Sequence, residues 1–383
     1  MLNEFILQTK KEHTITASAF SQARKKLKHT AFVELNDDIV SAYYKEKEYK
    51  KLYGMRLLAF DGSKLTLPDT KEVKEIFGTI PVGNHTQHDL KEYSRAVFES
   101  CYDVLNNIAV KAVLAKGNSY EVNLAMEMLD SSFGDDDLLI YDRGYAAYPF
   151  FAQLDQKNLN YLIRCPRSSL SAIQDMFKEG GPTDQLVTLN VPARQAKHIR
   201  ELGLPSTIKI RLIRVLLPTG EIEVLASSLM DDKRFPTKIF AELYHLRWGV
   251  ETFFSKVKGR LGLENFTGKS VEAIKQDFWS TIFISNLETI MTEDIETDIN
   301  IGLSEKQHEK AINKAVSFNA IKNLSFEILS AKTNKNEIIS RLTQLFLTNI
   351  TSVRKDRKIP KRRYKTSETQ SLNFQKRYRK HVF

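Results

Sequence analysis

Between residues 55 and 165, short apolar runs alternate with stretches of helix length, and this alternation constrains the fold more than any other feature of the chain. Residues 55–67 (MRLLAFDGSKLTL) open with a buried-strand run that ends at Asp61-Gly62 and continues as alternating residues. Residues 96–104 and 108–115 flank Asn106-Asn107, a pair that tolerates positive φ, so they form a hairpin. Residues 120–129 read as a helix. Residues 137–141 (DLLIY) are a short apolar strand bounded by an acidic turn and by Asp142-Arg143-Gly144. A helix around 148–154 and a strand at 161–164 follow. Strand, hairpin, helix, strand, helix, strand predicts a mixed α/β sheet.

The flanking segments differ in character. Ser18 can cap a first helix, a second runs over 32–44, and Arg24, Lys25, Lys26 and Lys28 make this piece basic. Between Pro166 and Pro236, residues 186–191, 207–217 and 221–229 read as strands, the last two turning at Pro218-Thr219-Gly220, so the segment resembles an all-β insertion. Helices are predicted over 237–258, closed by Gly259, and then over 271–291 and 305–348.

With 383 residues, 42% hydrophobic and 27% charged, the chain has the length of two or three domains and a globular balance. Its longest apolar stretches, such as 278–284, fall far short of the roughly 18–20 residues that span a bilayer. Residues 1–11 lack the basic and apolar regions of a secretory signal. Cys101 and Cys165 form no CxxC, which suits a reducing compartment, and a cytoplasmic location without membrane partners is expected.

Charge gathers at one end. Residues 354–380 hold twelve Lys and Arg against Asp356 and Glu368, an excess equal to the formal charge of +10 on the whole chain. A neutral body with a basic tail points to a polyanion partner, of which nucleic acid is the commonest. A solubilising tail is the plainer reading.

On the 237–258 helix, Ile239, Phe240, Leu243, Leu246, Val250, Phe253, Phe254 and Val257 fall in one stripe at about 100° per residue. Tyr244, Arg247, Glu251 and Lys258 cluster on the flank of that stripe, where side chains project along a sheet surface instead of straight into solvent. An Arg247/Glu251 i,i+4 pair with Tyr244 at the rim is the plainer account. Asp61 and Asp142 each end an apolar run, and carboxylates at the ends of buried strands are costly unless a cation or metal meets them. With Glu251 they would make an all-oxygen site of the kind Mg2+ or Mn2+ prefers. Two such ions can activate a water or a 3′-hydroxyl and stabilise the leaving oxygen of a phosphodiester.

Asp61-Gly62-Ser63 with LTLPD at 65–69 and Phe77-Gly78, then Asp142-Arg143-Gly144-Tyr145, then Tyr-x2-Arg-x3-Glu-x6-Lys at Tyr244, Arg247, Glu251 and Lys258, resemble the DDE transposases of insertion-sequence family four. The resemblance covers roughly residues 18–269. It implies a ribonuclease H-like core with Asp61, Asp142 and Glu251 as the catalytic, metal-binding triad for two Mg2+ or Mn2+ ions. It further implies DNA-binding roles for Tyr244, Arg247 and Lys258, and a β-rich insertion within the 109 positions separating Asp142 from Glu251. The partners implied are double-stranded DNA, the terminal inverted repeats and a target DNA, with a homodimer in the active complex.

The expected organisation is an N-terminal helical DNA-binding segment at 1–50, the core at 51–165 and 236–300, the β-rich insertion at 166–235, a C-terminal helical region at 301–350 and the basic tail at 351–383. Two rival functions stand beside transposition: a ribonuclease H-like nuclease without strand transfer, and a non-catalytic DNA-binding protein or repressor. GLENFTGKS at 262–270 has one residue too many between its glycines for a phosphate-binding loop and follows a helix. His85 and His88 lack further metal ligands near them in sequence, and Asp135-Asp136-Asp137 reads as an acidic turn.

Overall fold

A computed structural model of the chain describes residues 15–82, 91–168, 170–301, 308–329 and 334–353. His85, His88 and residues 354–383 of the basic tail lie outside the described residues. Two compact units divide the chain, residues 44–256 and residues 1–43 with 257–383.

The first unit is built on a nine-stranded mixed sheet. Its strands are β1 (Arg56–Thr66), β2 (Thr79–Val82), β3 (Lys91–Asp103), β4 (Ile108–Lys116), β5 (Asp137–Tyr141), β6 (Asn160–Cys165), β7 (Asp184–Asn190), β8 (Thr207–Leu216) and β9 (Ile222–Ser227). They run in the order β2-β3-β1-β5-β6-β9-β8-β7, with β4 also on β3. β1, β5 and β6 pair in parallel, and every other pairing is antiparallel. The β3–β4 hairpin turns where Asn107 takes φ 57° and the Asp103 carboxylate accepts from the Leu105 and Asn106 amides. The parallel β5–β6 step needs a crossover, and the helix Tyr148–Gln156 supplies it. This is a mixed α/β core.

β5 lies at the centre and is buried along its whole length, which is why it reads as an apolar run after its first residue. Its one charged residue, Asp137, is met by a bidentate Arg56 across the parallel register, at 2.7 and 2.9 Å. Cys101 and Cys165 are free thiols, both buried in the sheet.

Several sequence expectations change. The strand does not end at Asp61-Gly62: β1 runs straight through, with Asp61 opposite Ser100 and Gly62 opposite Glu99 on β3. What ends at Ala59 is the parallel pairing with β5. The 166–235 segment is not all-β, because it carries the short helices Ser171–Met176 and Ala196–Glu201. Its strands extend the central sheet through β9 on β6, since an exposed β6 edge would leave a row of backbone groups unpaired.

The 237–258 helix is not continuous. A 3-10 turn Thr237–Ile239 leads into the helix Phe240–His245, and a second helix, Trp248–Ser255, passes into a π-turn Lys256–Arg260. At the joint, the amides of Arg247, Gly249 and Val250 each bond three residues back, to Tyr244, Leu246 and Arg247. Gly249 sits there because a β-carbon would meet the Val104 side chain at 3.0 Å. The chain reverses at Gly262, φ 64°, and not at Gly259.

The second unit is helical, with Ala17–Lys26, the first part of Thr30–Glu46, Val271–Asp298, Lys314–Leu329 and Lys335–Leu347. The first helix is capped by Thr16, not Ser18, through the Ala19 amide at 3.1 Å. Arg24 bonds Gln276 and Asp277, and Asn36 bonds Asn286 in a buried pair. β10 (Lys310–Ile312), within the stretch expected to be helical, pairs with β11 (Ile350–Ser352), just beyond it, in a small antiparallel ribbon. Ile312 joins Ile321, Ile338, Leu342 and Phe346 in a core of this unit's own.

Candidate active site

The parallel register brings the two aspartates together. Leu57 pairs with Leu138 and Ala59 with Ile140, so two residues further along the same face stand Asp61 and Asp142. Leu57, Leu138 and Ile140 form the floor on which Phe240, Leu243 and Tyr244 pack. The acids are therefore the polar continuation of a face whose apolar part holds the signature helix.

That helix contacts all three acids. Tyr244 donates its hydroxyl to Asp142 Oδ1 at 3.1 Å. Arg247 Nη2 donates to Glu251 Oε1 at 2.7 Å, while its Nη1 lies 3.7 Å from Asp61 Oδ2. Asp61 also accepts from the Gly62 amide at 2.9 Å. Arg164, on β6, stands 4.0 Å from Asp142 and bonds Glu223 at 3.0 Å. The three-residue bonds at the helix joint turn Arg247 inward, so that it is only 4% exposed.

Burial drives the electrostatics. It pushes the Asp61 carboxyl up to about 6, against the pull of Arg247 and the Gly62 amide, with Glu251 and Glu121 adding to the rise. Burial likewise raises the Tyr244 phenol, which keeps its proton for Asp142. Two further acids were not apparent from sequence. Glu99, opposite Gly62 on β3, is fully buried; it accepts from the Tyr145 hydroxyl at 2.7 Å, and its Oε2 has no partner among the described residues. Burial pushes Glu99 up to about 8, with Glu121 and Asp61 adding to the rise. Glu121 opens the helix Glu121–Met128 and lays its carboxylate over Gly62. A charged residue in the middle of the apolar run AVFESC was the available signal for Glu99; Glu121 had none.

Among the described residues no three acidic, histidine or cysteine side chains are gathered closely enough to hold one metal ion. The donor set still fits a hard divalent cation. It is all carboxylate, and the space beside Asp61 and Glu251 already accepts a positive group, the Arg247 guanidinium. Tyr244 and Arg247, for which DNA-binding roles are expected, are buried against the sheet with their polar groups on the acids. Lys258 belongs to the other unit, half-buried in the π-turn.

Two aspartates thus stand just beyond the parallel pairing of their strands, and a glutamate is carried by the helix packed on the same face of the mixed sheet. The sequence matches the family Transposase DDE domain over residues 52–287. It is 24% identical over 277 residues to the transposase InsG of insertion sequence element IS4 from Escherichia coli K12, covering 71% of this chain and 60% of that protein. Among solved structures it is similar to the piggyBac transposase synaptic complex with hairpin DNA, at 11% identity and a TM-score of 0.44, covering 82% of this chain and 60% of that one. The chain belongs to the DDE transposases, in the group of insertion-sequence family four.

Proposed function

We propose that this protein cuts and joins the ends of its own insertion sequence, with Asp61, Asp142 and Glu251 as the triad that holds two Mg2+ or Mn2+ ions. The observation that carries the reading is the placement of Asp61 and Asp142 two residues beyond the last parallel pair, with Glu251 brought toward Asp61 by a shared arginine. Ions bound there supply activation of a water or a 3′-hydroxyl and stabilisation of the leaving oxygen. Within the protein, Tyr244 holds Asp142 and Arg247 holds Glu251, so the signature helix orients the acids before substrate arrives. Glu121 adds negative charge beside Asp61, favouring cations over anions at this end of the sheet. Lys258 and the basic tail are assigned to DNA phosphates, the terminal inverted repeats and a target DNA are the substrates, and a homodimer pairs the two ends. No helix among the described residues is long and apolar enough to cross a membrane; a cytoplasmic location agrees with this reading.

The test uses oligonucleotide duplexes carrying the element's terminal repeats. Wild-type protein should cleave them with Mg2+ and join the released 3′ ends to a target duplex, whereas Asp142→Ala should bind the ends and do neither. Cleavage retained in Asp142→Ala overturns the triad. Cleavage without joined product reduces the activity to that of a nuclease, and binding without cleavage in the wild type reduces it to a DNA-binding protein.

A further inference from the structure

The acid set comes with a cation of its own. Arg247 is buried, its Nη2 is bonded to Glu251 and its Nη1 faces Asp61, so one guanidinium spans two of the three carboxylates. Its Nε has no partner among the described residues, an unusual cost for a buried arginine. The fork is thus held by the charges of the acids and not by a completed hydrogen-bond network. On its outer side the guanidinium lies 5.2 Å from the ring centre of Trp248, and Trp248 is 53% exposed. An arginine leaving the acids would have that aromatic face to rest on at the surface.

We propose that Arg247 is the resident counter-ion of the acid set and competes with divalent metal for Asp61 and Glu251, so that metal enters as the guanidinium withdraws. The proposal rests on the reading of Asp61, Asp142 and Glu251 as the metal-holding triad. Its logic is charge balance. Asp61, with its side chain 22% exposed, and the more open Glu251, at 39%, draw a cation, and the nearest is the buried Arg247. Ions brought into the same space would stand within a few ångströms of a guanidinium in a medium that screens poorly, and the two positive groups cannot both remain. Tyr244 meets Asp142 with a neutral hydroxyl, which needs only to turn aside. Of the signature residues in this unit, Arg247 alone opposes metal by charge.

The measurement is Mn2+ binding to the full chain without DNA, by electron paramagnetic resonance of the free ion, with circular dichroism melting to confirm folding. Arg247→Ala and Arg247→Gln should bind Mn2+ about tenfold more tightly than wild type, a difference worth about 1.4 kcal/mol. Should Arg247→Ala fail to fold, Arg247→Gln, which keeps a hydrogen bond to Glu251 without the charge, carries the comparison. Affinity equal to or weaker than wild type in the folded variants overturns the proposal, because an arginine that merely positions Glu251 would on removal loosen metal binding. Asp61→Ala separates the two readings. If it leaves Mn2+ binding untouched, the triad assignment fails and the proposal falls with it. If it abolishes binding while the Arg247 variants bind no more tightly, the counter-ion proposal fails alone.

Discussion

The carboxylate of Glu121 occupies the space of the β-carbon that Gly62 lacks, its Oε1 standing 2.5 Å from where that carbon would be. Gly62 is therefore required by space and not by backbone angle, because it lies within β1 and is absent from the glycines with positive φ. The obstructing atoms are the far end of a flexible side chain, so Gly62→Ala should cost less than about 1 kcal/mol in stability. Displacing Glu121 beside Asp61 should nevertheless lower end cleavage by about tenfold. In a Glu121→Ala background the same substitution should have no further effect on cleavage, and a double-mutant cycle reads that coupling directly.

Tyr244 combines a buried ring with a hydroxyl on Asp142. Tyr244→Phe keeps the ring and removes one hydrogen bond, an expected loss of about 1 kcal/mol in urea unfolding. Tyr244→Ala empties a site packed on Leu57 and Ile140 and should cost about 3–5 kcal/mol. Equal losses in the two variants would show that the ring contributes nothing to the packing of the signature helix.

Glu99 should give stability a pH dependence of definite sign. Its folded-state affinity for a proton is raised, to about 8, above that of an unfolded glutamate. The folded protein therefore holds more protons than the unfolded chain between the ordinary glutamate range and about pH 8, and stability falls as pH rises through that window. Asp61 acts in the same direction up to about pH 6. Glu99→Gln should flatten the decline between about pH 6 and pH 8, by no more than about 1.4 kcal/mol per pH unit, in melts recorded across that range. An unchanged slope would mean that Glu99 is ionised when folded.

Arg211 ties the β-rich segment to the start of the signature helix. Only 1% exposed, it bonds both oxygens of Asp184 on β7 and the carbonyls of Leu229 and Phe235, while Thr237 donates to the same Asp184. Arg211→Met strands a partly buried carboxylate and two carbonyls, and should cost about 3–5 kcal/mol in denaturant unfolding. Arg211→Lys should recover little, because an ammonium cannot reproduce the bidentate fork.

How much of this was legible in the sequence follows the range of the interactions involved. β5 was readable to the residue because a strand buried on both faces is predominantly apolar, and the β3–β4 turn was readable because Asn106-Asn107 carries its own conformational preference. Asp61-Gly62 misled as the end of the buried-strand run, since the reason for its glycine is a side chain 59 positions away in sequence. An even 100° per residue kept Arg247 on the flank of a regular helix, and only the local tightening of the backbone bonds carries it inward onto Asp61. The β10–β11 ribbon was missed because three-residue strands carry no periodicity, and its partners lie 40 residues apart.

The two cysteines have a practical consequence. Cys101 and Cys165 are the whole thiol content of the chain, and both are buried, with thiols that burial holds well above the range where they ionise readily. A maleimide dye should therefore find almost nothing to react with on the native fold. A cysteine placed at the exposed Trp248 would become the sole labelling position without any prior removal of native thiols, setting a reporter fluorophore beside Arg247 in an otherwise unaltered protein.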